Sequence, residues 1–270
     1  MNITRHMRSY SAWAVAALLL SACAPVKPHL KLDTSVKAIS QSSRVKQIVV
    51  HYTVWEKDRA LKQLSQAQVS AHYLISDDTP PRIYRLVDEN RQAWHAGESR
   101  WYGQPSINAT SIGIEIVNRG YINDAEMPGQ RLFFPYSPAQ IESLTLLLND
   151  IVLRHDIAAK NIVGHSDISP QRKADPGPLF PWRQLALHGL GRWYDEAGAA
   201  SHFARLQAEG VPDTLWFQQQ LQRLGYNSPQ TGELDTATIN VLAAFQMHYR
   251  QTLYDGQPDI ETAAIMLAIL

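Results

Sequence analysis

The chain has 270 residues with 25 acidic against 25 basic side chains, so its formal net charge is zero. That balance gives no electrostatic case for nucleic acid as a partner. The length allows one large domain or two smaller ones. At the N-terminus, Arg5 and Arg8 precede the apolar run from Ala12 to Leu20. The run is too short and wrongly flanked to span a bilayer, and reads as an export signal.

That run closes in Leu20-Ser21-Ala22-Cys23, which resembles the lipobox of bacterial lipoproteins, and Cys23 is the only cysteine of the chain. The resemblance implies removal of residues 1–22 and lipid attachment at Cys23. Ala24, rather than aspartate, follows the cysteine. In Gram-negative lipoproteins this implies sorting to the outer membrane, with the protein anchored on the periplasmic face. An acylated cysteine carrying more than one chain suffices for stable anchoring. Residues 23–43 are polar and mixed, with Pro25 and Pro28, and read as a tether between lipid and domain.

Residues 44–195 read as an α/β domain, a mixed β-sheet flanked by helices. The β-branched run over residues 45–52 predicts a buried strand delivering His51 at its tip. A polar stretch follows, then the segment 70–75 and strands over 82–87 and 112–117. In the last strand, alternation puts Ile112, Ile114 and Ile116 on one face and Ser111, Gly113 and Glu115 on the other. Gly113 predicts open space beside the Glu115 carboxylate. The clearest helix begins at Ser137-Pro138-Ala139-Gln140, a capping box with proline at the first helical position. It continues through Ile141, Leu144, Leu148, Ile151 and Val152 at helical spacing. His165 follows the short apolar stretch Asn161-Ile162-Val163-Gly164, where Gly164 predicts a turn before the histidine. Asp175 lies in Lys173-Ala174-Asp175-Pro176-Gly177-Pro178, a loop whose prolines limit backbone freedom.

His51, His165 and Asp175 are two imidazoles and one carboxylate, the donor types that hold a hydrolytic zinc while leaving a fourth position for water. The expectation is one Zn2+ per chain, at one edge of the sheet. A hydrolytic zinc also needs a proton acceptor beside its water. Glu115 offers one, although alone it reads as readily as an ordinary strand carboxylate.

Six ordered blocks then carry a family resemblance. They are Ile48-Val49-Val50-His51-Tyr52-Thr53, Ser70-Ala71-His72-Tyr73-Leu74-Ile75, Ala93-Trp94-His95-Ala96-Gly97, Asn108-Ala109-Thr110-Ser111-Ile112-Gly113-Ile114-Glu115, Val163-Gly164-His165-Ser166-Asp167 and Lys173-Ala174-Asp175-Pro176-Gly177. Together they resemble the zinc-dependent N-acetylmuramoyl-L-alanine amidases, whose fold is shared with peptidoglycan-recognition proteins. The resemblance implies that His51, His165 and Asp175 are the zinc ligands, Glu115 the general base and Lys173 the group that stabilises the oxyanion. Trp94 and His95 match the rim of the substrate groove, with a core aromatic as the other reading of Trp94. His72 is expected to pack within the fold.

Around Gly189–Gly210 the composition turns small and polar, which suggests a connection. Beyond it, residues 207–270 read as a small three-helix domain whose helices open at Asp213, Asp235 and Asp259. Leu224-Gly225-Tyr226, Thr231-Gly232-Glu233-Leu234-Asp235, Phe245-Gln246 and Asp255-Gly256 resemble the peptidoglycan-binding helical domain often joined to wall hydrolases. The partners implied are peptidoglycan or muropeptides, and a monomer is expected. The implied reaction is hydrolysis of the amide between N-acetylmuramic acid and L-alanine in cell-wall turnover. The alternative is a non-catalytic wall-binding lipoprotein.

Overall fold

The computed structural model describes residues 30–123 and 131–269. The expected leader and Cys23 lie outside the described residues. Residues 30–41 are exposed and form no helix or strand. Among the described residues no helix is long and apolar enough to cross a membrane.

Among the described residues there are nine short strands, β1 (Gln47–Tyr52), β2 (Tyr73–Ile75), β3 (Ile83–Arg85), β4 (Arg100–Trp101), β5 (Gln104–Pro105), β6 (Ser111–Ile116), β7 (Tyr121–Asn123), β8 (Arg131–Phe133) and β9 (Ile162–Gly164). The α-helices are α1 (Lys57–Gln66), α2 (Pro138–His155), α3 (His165–Ile168), α4 (Trp182–Ala186), α5 (Glu196–Glu209), α6 (Thr214–Arg223), α7 (Thr236–Tyr249) and α8 (Ile260–Ile269). Five strands form one sheet in the order β3-β2-β6-β1-β9, parallel throughout except for the β2–β3 pair. The remaining strands form two small hairpins, β4–β5 and β7–β8.

Alternation along β1 and β6 sends two residue sets to opposite faces. Ile48, Val50, Ile112, Ile114 and Ile116 face α2, whose Ile141, Leu144, Leu148 and Ile151 complete that core. The helix begins as its sequence predicts, with Gln140 N–H donating to Ser137 Oγ (3.2 Å) and Ser137 N–H donating to Gln140 Oε1 (3.1 Å). On the other face, Val49 and Val163 share a core with Phe217, Leu221, Leu242 and Phe245 of the C-terminal helices. Each such buried side chain contributes about 1.5–3 kcal/mol. The C-terminal helices and the sheet therefore stabilise each other.

The three aspartates expected to open helices do so. Asp213, Asp235 and Asp259 each accept a backbone N–H three residues on, from Trp216, Thr238 and Thr262, at 2.7–2.8 Å. A repeated device joins these helices. Gln218 and Gln246, both fully buried, accept the N–H of Gly232 and Gly256 and donate to Thr238 and Thr262 respectively.

Two readings need correction. The polar stretch after β1 contains α1, whose narrow apolar face of Ala60, Leu61 and Leu64 lies in an otherwise polar segment with no side-chain cap. The small, polar connection contains α5, capped by Asp195 on the N–H groups of Ala197 and Gly198 and burying only Ala199 and Leu206. Its alanines favour a helix through intrinsic propensity more than through an apolar stripe.

Candidate active site

His51 ends β1, His165 follows β9, and β1 and β9 are neighbours, so the sheet brings the two histidines together. Asp175 is held behind them by Ser166 N–H donating to its carbonyl (2.8 Å). His51 Nδ1, His165 Nδ1 and Asp175 Oδ2 form a buried triangle with sides of 2.9, 2.9 and 3.0 Å.

The outer hydrogen bonds decide what those three atoms present. His165 Nε2 lies 3.0 Å from the Ala96 carbonyl, which can only accept, so the proton sits on Nε2 and Nδ1 offers a lone pair. For His51 the same logic runs through a chain. Ser111 Oγ is 2.7 Å from the Ile107 carbonyl and must donate to it. Ser111 therefore accepts from His95 Nε2 (3.0 Å), and His95 Nδ1 accepts from His51 Nε2 (3.0 Å). His51 Nδ1 is left as a second lone pair. Two lone pairs and a carboxylate oxygen aimed at one another repel unless a cation lies among them. Donors about 2.0–2.1 Å from a tetrahedral zinc are roughly 3.3 Å apart, so donor type and spacing both fit such an ion.

Electrostatics keep these groups in ligand form. Burial, followed by the neighbouring His165, lowers His51 to about 4. Burial alone would raise Asp175, but His165 and His51 outweigh it and hold the carboxyl well below the usual range. Burial and the adjacent His51 likewise depress His95.

Glu115 is in register with His51 on the neighbouring strand, so both side chains leave the same face. Burial, then Asp175, raises its carboxyl to about 8, while Lys173 pulls it down. Its Oε2 is buried with no hydrogen-bond partner among the described residues. An oxygen committed to no protein donor is available to the proton of a water. Lys173 is exposed, and its charge reaches both Glu115 and His51.

Two glycines act differently from their sequence reading. A Cβ at Gly113 would stand 2.4 Å from the His95 ring, so the space expected beside Glu115 is filled by that imidazole. Gly164 has an ordinary φ of −85°, but a Cβ there would lie 2.5 Å from Pro176 Cδ. Its role is close approach of the Asp175 loop rather than a turn.

The rim residues separate. Trp94 is 59 % exposed, and its backbone is tied to Ser70 in both directions, which removes the core-aromatic reading. His95 has both ring nitrogens engaged, by His51 and Ser111, so it supports a ligand instead of offering polar atoms to a substrate. His72 is packed, accepting from Gly113 N–H (3.0 Å). The supporting roles of Ser111 and the Ala96 carbonyl were not foreseen; for Ser111 the only signal was a place on the Glu115 face of its strand.

Residues 41–178 match the N-acetylmuramoyl-L-alanine amidase family. The chain belongs to that family. Residues 210–266 match a peptidoglycan binding domain family. The N-acetylmuramoyl-L-alanine amidase AmiD of Escherichia coli K12 is 43 % identical over 275 residues, 98 % of each chain. The 1,6-anhydro-N-acetylmuramyl-L-alanine amidase AmpD of the same organism is 35 % identical over 125 residues, 46 % of this chain and 61 % of its own length. The structure of E. coli AmiD in complex with its substrate anhydro-N-acetylmuramic acid-L-Ala-D-gamma-Glu-L-Lys superposes with a TM-score of 0.79, covering 88 % of this chain and 93 % of that one at 43 % identity. Pseudomonas aeruginosa AmpDH3 gives 0.81, covering 89 % and 98 % at 37 % identity. In this amidase family member, then, the triangle of His51, His165 and Asp175 lies within the matched region, and the helices covering the same sheet face fall in the second match.

Proposed function

We propose that the chain is a zinc amidase that hydrolyses the amide between the lactyl group of N-acetylmuramic acid and L-alanine, in peptidoglycan or muropeptides, during cell-wall turnover. The observation that carries the reading is the triangle of His51, His165 and Asp175 with the unpartnered Glu115 oxygen beside it. Zinc held by those three residues supplies Lewis-acid activation of the attacking water and the scissile carbonyl. Glu115 takes a proton as the water oxygen bonds to the carbonyl carbon, and returns it to the amine nitrogen as the carbon–nitrogen bond breaks. In this reading the Lys173 ammonium offsets the negative charge building on the carbonyl oxygen. The exposed Trp94 is the proposed substrate contact at the rim. A non-catalytic wall-binding role leaves the buried lone pairs of the triangle and the unpartnered Glu115 oxygen without a purpose.

Chelation tests the reading. Metal-free protein should lose hydrolysis of a soluble muropeptide and recover it with one equivalent of Zn2+ per monomer. Undiminished turnover in the chelated protein would overturn it.

The cellular setting is proposed from the leader: Cys23, lipidated after removal of residues 1–22, anchors the protein to the periplasmic face of the outer membrane. Cys23→Ser should abolish labelled-palmitate incorporation and co-fractionation with outer membranes. Equal palmitate labelling in Cys23→Ser would refute the anchor.

A further inference from the structure

The turn that delivers His165 is held from a distant part of the chain. Asp167, two residues after the ligand, is 1 % exposed. Its Oδ2 accepts the backbone N–H of Gly164, the residue immediately before His165, at 2.7 Å. The same oxygen accepts from His248 Nδ1 at 2.8 Å, and Oδ1 accepts from the Tyr226 hydroxyl at 2.7 Å. Tyr226 follows α6 and His248 lies in α7, so two of the three donors come from the C-terminal helices.

A buried carboxylate tolerates desolvation only when its lone pairs are satisfied in good geometry. Here the donors are themselves fixed. The His248 ring stacks on Trp182 with centroids 4.0 Å apart and planes 9° from parallel. Tyr226 meets Trp101 edge to face at 5.2 Å, and Trp101 Nε1 donates to the Lys160 carbonyl. Each donor is thus packed against the catalytic region on one side and bonded to Asp167 on the other.

A second tie lies along the same loop. Gln171 donates to the Ala237 carbonyl (2.9 Å) and accepts from Asn240 Nδ2 (2.9 Å), both on α7. The segment from His165 to Asp175, which holds two metal ligands and Lys173, is therefore gripped by the C-terminal helices at Asp167 and at Gln171. A wall-binding module on a tether would need neither grip.

We infer that the C-terminal helices position the metal centre: Tyr226 and His248 act through Asp167 to fix Gly164 and hence His165. This rests on the proposal that the triangle binds zinc. Outer partners of metal ligands typically change affinity or activity about 10- to 100-fold when removed. Because Asp167 acts through the backbone, the low end of that range applies.

The test measures zinc affinity by competition with a chelating dye in the full chain and in Tyr226→Phe, His248→Leu and His248→Asn. Melting midpoints are taken with and without zinc. Tyr226→Phe keeps the ring and removes only the hydroxyl donor, and should raise the zinc Kd about tenfold. His248→Leu should raise it at least as much. His248→Asn, whose amide N–H can reach the position of Nδ1, should recover most of the loss. In the weakened variants the zinc-induced rise in midpoint should shrink, since that rise follows the ratio of ligand concentration to Kd. Parental Kd values in Tyr226→Phe and His248→Leu, with midpoints lowered equally in both metal states, would mean a purely structural seam and overturn the inference. If His248→Leu fails to fold, Tyr226→Phe decides alone. A parent chain that takes up no zinc overturns the metal reading itself, and this inference with it.

Discussion

Glu115→Gln should keep its zinc and lower kcat by about 10²- to 10⁴-fold, the range expected when a general base is lost. The substitution preserves size and removes only the ability to take a proton. Glu115 makes no hydrogen bond to the triangle, and its Oε2 has no partner among the described residues, so the ligands should not move. KM should change little, because the proton is taken in the transition state and not in substrate binding. Lys173→Met is the companion case: it removes a charge felt at Glu115 without touching a ligand, and one such stabilising group is typically worth about 10²- to 10³-fold. Single-turnover rates on a soluble muropeptide, with zinc content measured on the same samples, check both. Parental rates in Glu115→Gln would return that residue to the role of an ordinary strand carboxylate.

Loss of a ligand should be more severe. His51→Ala, His165→Ala and Asp175→Ala each leave two of three donors, and zinc affinity should fall by more than the 10- to 100-fold expected for a change in the surrounding shell. The three should differ in a second way. Asp175 is the one anionic member of the triangle, and its removal leaves the two neutral imidazoles facing each other through their lone pairs, 2.9 Å apart. Asp175→Ala removes one of three mutually repelling donors and should therefore leave the metal-free protein no less stable. His165→Ala empties a buried imidazole site, leaves the Ala96 carbonyl accepting from Arg172 and should cost the metal-free fold more. Zinc content by mass spectrometry and denaturant melts in chelator separate the two effects.

The candidate site was legible in the sequence because its ligands sit at the ends of strongly patterned elements. The β-branched run ending at His51 and the Ile alternation around Glu115 announce their own burial, and Ser137 with Gln140 announces its own helix. What was not legible depends on partners distant in sequence. Asp167 meets Tyr226 and His248, 59 and 81 residues away, and nothing local distinguishes it from a solvated aspartate. His95 illustrates the same limit: its place under His51, over the missing Cβ of Gly113, exists only once β1 and β6 pair. Helices α1 and α5 escaped for a simpler reason: the apolar face of α1 is confined to Ala60, Leu61 and Leu64 in an uncapped polar segment, and α5 buries only Ala199 and Leu206.

The same fact changes the picture of the C-terminal region. Its helices carry the capping aspartates and buried glutamines of a self-consistent unit, yet their apolar residues complete the core on the sheet face that bears His51 and Glu115.

The most direct test of the central claim is the mass of the fragments released when zinc-loaded protein digests a muropeptide of known structure. Cleavage between the lactyl carbonyl and L-alanine should yield an intact stem peptide with a free L-alanine amine and a peptide-free muramic acid carboxylate, with one water added across the pair and both fragments formed about 10²- to 10⁴-fold more slowly by Glu115→Gln. Fragments that divide the glycan, or that leave L-alanine attached to the sugar, would contradict the assignment.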